Sequence, residues 1–126
     1  GLQYGRCRAD RLGEGTDLTA NIWVTIGTDD VVTIQYPGTE MGQGTTTSLP
    51  LVLADELDAD WDKVNVETVT VHDERYGNPF FQNMLYTAGS LTVQAYFDRI
   101  RIAGAQARRL LVESAADRWI VPVARL

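Results

Sequence analysis

Apolar and polar residues alternate along Asn21-Ile22-Trp23-Val24-Thr25-Ile26, the period of a strand with one face buried. Gly27-Thr28-Asp29-Asp30 carries turn chemistry, and Val31-Val32-Thr33-Ile34-Gln35-Tyr36 is a second β-rich run. The two predict a hairpin, ended by Pro37-Gly38. From about Thr46 to Leu57 the period becomes helical, with Leu49, Val52, Leu53 and Leu57 on one face. Pro50 falls near its first turn, where a missing N–H costs least. Asp58 to Asp62 closes this helix, and Lys63 to Val69 alternates again as a third strand. Residues 72–86 lack any period and predict a long ordered loop. Val93, Phe97, Ile100, Gly104, Ala107, Leu111 and Ser114 then recur at three- and four-residue steps. They predict a helix from about Leu91 to Trp119, ended before Pro122.

The order β-β-α-β-loop-α predicts an α+β fold, an antiparallel sheet with helices on one face. Residues 1–19 are polar, with Arg6, Arg8 and Arg11, and read as an N-terminal arm ahead of a single domain over 20–126. Val31, Val32 and Ile34 do not all point the same way under strict alternation. The far face of the sheet is therefore expected to carry apolar side chains and to need a cover. Trp23, Trp61 and Trp119 are expected at the edges of the core.

Composition narrows the class. The 126 residues are 44% hydrophobic and 22% charged, enough for one domain with a core. A net charge of −6 argues against nucleic acid or an anionic membrane surface as partner. With Cys7 the only cysteine, no internal disulfide can form, and the thiol reads as incidentally exposed. No apolar run reaches the roughly 18 residues of a spanning helix. The start at Gly1, without a signal-peptide pattern, suits a processed or excised chain.

Two loops carry candidate chemistry because each runs into a helix start. Met41-Gly42-Gln43-Gly44 precedes the first helix, and Thr87-Ala88-Gly89-Ser90 precedes the second. Unpaired N–H groups beside glycine can receive an anionic oxygen. Gln43 offers donor and acceptor, and Thr45, Thr46, Thr47, Ser90 and Thr92 add hydroxyls. The same residues also suit plain turns, with Thr87 and Ser90 as helix caps. Neither loop contains the lysine of a P-loop. The acidic group Asp55, Glu56, Asp58, Asp60 and Asp62 lacks the spacing of a calcium loop and reads as a solvated helix end. His72, the single histidine, reads as a loop hydrogen-bonder, and no metal set or catalytic triad can be assembled.

The string Thr39-Glu40-Met41-Gly42-Gln43-Gly44, the run Leu57-Asp58-Ala59-Asp60-Trp61-Asp62-Lys63-Val64, then Tyr76-Gly77-Asn78-Pro79 and Thr87-Ala88-Gly89-Ser90 come in a fixed order. Together they resemble the large subunit of the xanthine oxidase family of molybdenum hydroxylases. The likeness is to the isoquinoline 1-oxidoreductase and membrane-bound aldehyde dehydrogenase branch, and it covers about residues 20 to 120. It implies molybdopterin with molybdenum, plain or as the cytosine dinucleotide. Gly42, Gln43 and Gly44 would hold one side of that cofactor, and Thr87, Ala88, Gly89, Ser90 and Thr92 the other. It further implies an oxidoreductase that acts on an aldehyde or N-heterocycle with water-derived oxygen, inactive as this chain alone. The implied partners are the remaining large-subunit polypeptide, an iron–sulfur subunit carrying the clusters, a cytochrome subunit as a further candidate, and a small-molecule substrate. The branch alone points to the periplasm or a membrane. The family's glutamate base lies in a motif with no counterpart here, and neither Glu40 nor Glu56 replaces it. The rival is a small non-catalytic α+β binding or assembly module that uses its glycine loops only as turns.

Overall fold

The computed structural model describes residues 17–69 and 74–126, and Cys7 and His72 lie outside them. Four strands and two main helices follow in the order β1 (Leu18–Asn21), β2 (Val24–Ile26), β3 (Val32–Tyr36), α1 (Thr45–Leu57), β4 (Val64–Thr68) and α2 (Thr92–Trp119). The strands lie in sequence order across one sheet. Val24, Val32, Ile34 and Tyr36 meet Leu49, Leu53 and Leu57 of α1 and Tyr96, Ile100, Ala103 and Ala107 of α2 in a single core. The fold is α+β, as the pattern predicts.

The stretch read as one strand over 21–26 is two. The Asn21 Oδ1 accepts the Trp23 N–H at 3.0 Å, and its Nδ2 donates to the Ala103 carbonyl of α2 at 2.9 Å. The chain therefore turns at Ile22-Trp23, a side-chain-to-backbone competition with the ladder that alternation does not reveal. Leu18 and Thr19, assigned from sequence to the arm, pair with Ile26 and Thr25. Freed from the pleat, Trp23 sits in the core rather than at its edge, edge-on to Tyr76 at 4.9 Å and to Tyr96 at 5.9 Å. Trp61 and Trp119 are exposed.

The sheet is mixed rather than wholly antiparallel. β1–β2 and β2–β3 are antiparallel, whereas β3 and β4 run parallel from Val32↔Val64 to Tyr36↔Thr68. A hairpin reverses the chain, but a crossover through a helix carries it back to the end where the first strand began, so the second strand runs parallel to it. Here α1 is that crossover.

The far face also differs from expectation. Thr19 pairs with Thr25, Thr25 with Thr33 and Thr33 with Asn65, and Gln35 lies beside Glu67, to which it donates a 3.1 Å hydrogen bond. That face is polar. Val31, which suggested otherwise, precedes β3 and belongs to the turn, where its carbonyl accepts the Gly27 N–H. No apolar cover is called for there.

In α2 the buried stripe is Ala95-Tyr96, Ile100, Ala103-Gly104 and Ala107, leaving Val93 and Phe97 on its exposed flank. A Cβ on Gly104 would lie 2.6 Å from the Leu53 carbonyl oxygen, so glycine lets the two helices cross in contact. Arg101 and Arg108 of α2 pair with Glu56 and Asp58, which accounts for part of the acidic group at the end of α1.

Candidate functional site

Because β3 and β4 are parallel neighbours, their carboxyl ends open on the same edge of the sheet. Ligands of sheets with parallel strands gather at such ends. The chain leaves β3 through Pro37 into the first glycine loop, and leaves β4 towards the long loop that ends in the second. An antiparallel β4 would have sent the two loops to opposite ends. A cavity of about 140 Å³ between Pro37, Gly38, Thr68, Val69 and Leu85 marks the shared edge. There the Thr39 N–H donates to the Thr87 Oγ1 at 3.0 Å and ties one loop to the other.

Beside this link lies a pocket of about 350 Å³, within the usual range for small-molecule sites. From the first loop it is lined by Met41, Gln43 and Thr45, and from the second by Thr87, Ala88, Gly89 and Ser90, with Thr92 and Val93 of α2. Six of the eight residues singled out from sequence thus share one wall: Gln43, Thr87, Ala88, Gly89, Ser90 and Thr92. Gly42 and Gly44 do not line it. They shape the loop instead, with φ of 92° and 79°, values an L side chain rarely adopts. The lining is neutral throughout.

The first loop is held from both sides. The Gln43 Nε2 donates to the Thr39 carbonyl at 2.7 Å, and its Oε1 accepts the Met41 N–H at 2.5 Å. On the other side one oxygen of Glu40 accepts the N–H groups of Gly42 and Gly44, each at 2.9 Å. Its second oxygen accepts the Thr46 N–H at 3.1 Å and the Thr46 hydroxyl at 2.7 Å. The Thr46 hydroxyl and the Gly44, Thr46 and Gly42 amides pull the Glu40 carboxyl down to about 2. Burial raises the Tyr36 phenol, which shares a 2.5 Å hydrogen bond with the Thr45 hydroxyl. The role of Glu40 escaped the sequence reading. Its signal was a carboxylate four positions ahead of the helix cap, with a threonine two positions beyond it.

The second loop is built differently. Gly89 and Ser90 both adopt left-handed backbone, φ 63° and 57°, and α2 is capped by Leu91 with no side-chain hydrogen bond. Neither Thr87 nor Ser90 is a helix cap. Thr87 bonds to Thr39 instead, and the Ser90 carbonyl accepts the Gln94 amide at 3.0 Å.

Tyr76-Gly77-Asn78-Pro79 is the latch that folds the long loop onto α2. The Tyr96 hydroxyl donates to the Tyr76 carbonyl at 2.6 Å, and Arg99 donates to the carbonyls of Gly77 and Arg75, both at 2.9 Å. A Cβ on Gly77 would fall 2.0 Å from the Asn83 carbonyl oxygen. The buried Asn78 accepts the Phe80 N–H at 2.9 Å, and its amide nitrogen has no partner among the described residues. None of these four residues lines the pocket.

A family model described as a molybdopterin cofactor-binding domain matches residues 5–126. The isoquinoline 1-oxidoreductase subunit beta of Brevundimonas diminuta is 48% identical over 109 residues, covering 86% of this chain and 14% of that protein. The membrane-bound aldehyde dehydrogenase (pyrroloquinoline-quinone) of Gluconacetobacter polyoxogenes is 37% identical over 104 residues, 82% of this chain and 12% of that protein. The chain thus spans a small part of the length of each of these curated relatives.

Proposed function

Since the chain belongs to the family of molybdopterin cofactor-binding domains, we propose that its pocket is one portion of the molybdopterin seat in a molybdenum hydroxylase large subunit. One observation carries this reading. Two glycine loops far apart in sequence converge on one neutral pocket and are joined through Thr39 and Thr87. The fit is chemical: a pterin needs neutral donors and acceptors, and Gln43, Thr45, Thr87 and Ser90 supply them. A phosphate needs backbone N–H groups free of acidic neighbours, and the start of α2 has no acidic residue in its first turn.

When bound, the cofactor supplies the redox-active metal for oxidising an electron-poor carbon with oxygen from water. This chain's own part is binding and orientation. Gln43 presents an amide to the ligand, and Gly89 leaves its backbone bare, with only the Leu91 side chain 3.6 Å from where a Cβ would sit. The substrate class is an aldehyde or N-heterocycle, in keeping with the names of the two relatives. The remaining large-subunit polypeptide completes the site, with an iron–sulfur subunit as a further partner and a cytochrome subunit as another candidate. The small share of each relative that this chain spans supports the first of these partners.

In the assembled enzyme, Gln43→Ala should lower molybdenum and pterin content, or turnover, without a matching loss of thermal stability. Metal content and turnover equal to the unaltered enzyme would remove Gln43 from the site.

A further inference from the structure

Glu40 is the one charged side chain woven into the first loop, yet it does not line the pocket. It is exposed, and its carboxylate receives four hydrogen bonds, all from the loop and the first turn of α1. We propose that Glu40 is a positioning residue whose carboxylate holds the loop from Met41 to Gly44 in the shape that presents Met41 and Gln43 to the pocket. This rests on the reading of that pocket as a molybdopterin seat.

The need for such a pin follows from the loop's composition. Gly42 and Gly44 are left-handed, and among the described residues nothing lies within 4 Å of a Cβ placed on either, so packing by those residues does not fix them. Two unpacked glycines leave the backbone free to sample many shapes. Gln43 lies between them. Its side chain holds the loop only through Thr39 and Met41, and those bonds are the ones a ligand must compete with when it engages the amide. Glu40 bonds to a different set of groups, the Gly42, Gly44 and Thr46 amides and the Thr46 hydroxyl, none of which Gln43 uses. The loop is then preformed before the ligand arrives, which cuts the ordering cost of binding. The carboxylate also occupies the amides at the start of α1, so they are not open to an anionic group of the ligand.

The test compares Glu40→Ala, Glu40→Gln and Glu40→Asp in the assembled holoenzyme. Three quantities are read: amide hydrogen exchange over 41–46, molybdenum and pterin retained after gel filtration, and thermal unfolding. Glu40→Ala should speed exchange in the loop about tenfold or more, as when charge-assisted hydrogen bonds are lost. It should also release cofactor while the unfolding midpoint stays close to that of the unaltered enzyme. Glu40→Gln keeps an acceptor for Gly42 and Gly44 but sets an amide nitrogen against the Thr46 N–H, so it should fall between. Glu40→Asp, one methylene shorter, should resemble Ala. Cofactor loss that merely tracks a lower midpoint and faster exchange throughout the core would overturn the positioning role. So would normal retention in Glu40→Ala when Gln43→Ala and Gly89→Val both lose cofactor. If all three variants retain cofactor, the pocket reading fails, and the proposal built on it fails too.

Discussion

Neither helix has a side-chain cap on its own N-cap residue or an acidic residue in its first turn, but at the start of α1 the Gly42, Gly44 and Thr46 amides donate to Glu40 from upstream. Both starts follow a glycine loop, and both face the same pocket. At α1 the chain's own carboxylate answers the positive end of the helix dipole; at α2 no acidic side chain among the described residues does so from the cap or the first turn. A glycine ahead of a helix therefore does not by itself define an anion site. A side chain several residues upstream decides whether the site is open.

The largest expected effect separates the two loops mechanically. Gly77→Ala drives a methyl into the Asn83 backbone and should cost about 2–3 kcal/mol or more, in line with overpacking. Exchange should rise across 76–91 and leave 41–46 protected. Equal loosening of both loops would show that they form one unit rather than two walls joined by Thr39 and Thr87.

Gly89→Val comes next. The left-handed φ of 63° should cost about 1–2 kcal/mol for a residue with a Cβ, and the side chain would close the bare backbone on the pocket wall. Cofactor loading should fall further than in an Asp117→Asn control, with unfolding followed alongside. Normal loading would leave the second loop as a structural turn.

Acid should act on the α1 start alone. The Glu40 carboxyl is held at about 2 against an ordinary 4.5, so its contribution is complete above pH 4.5 and is lost as pH falls through 2. The Gly42 and Gly44 amide resonances should therefore titrate with a midpoint near pH 2, while those of Gly89 and Ser90 stay put. Movement of both sets together would contradict the contrast drawn between the helix starts.

Smallest is Ser90→Gly. It relieves a left-handed serine at φ 57° but adds freedom to the unfolded chain, and the two should nearly cancel, to within about 0.5 kcal/mol. A larger loss of stability would mean that the serine hydroxyl is needed by the loop.

The elements legible in sequence were those set by periodicity. α1 and α2 fall within a residue of their expected limits, and β3 and β4 within one or two. What periodicity could not carry was a decision made by a single polar side chain. Asn21 breaks the first strand, and Glu40 closes the first loop. The direction of β4 is not in the alternation, which states that a strand exists and not which way it runs; it lies in the helix between β3 and β4, whose crossover makes the pair parallel. The site was legible as two loops but not as one pocket, because their meeting depends on that direction.

The parallel pairing of β3 with β4 also fixes when the pocket can exist during folding. β1, β2 and β3 join through short turns and close quickly. β4 can pair only after the whole of α1 has crossed the sheet, and long-range parallel pairing is the slow kind. Until then Thr87 has no Thr39 to meet. A ligand gripped by both loops is therefore held from both sides only once β3 and β4 have paired.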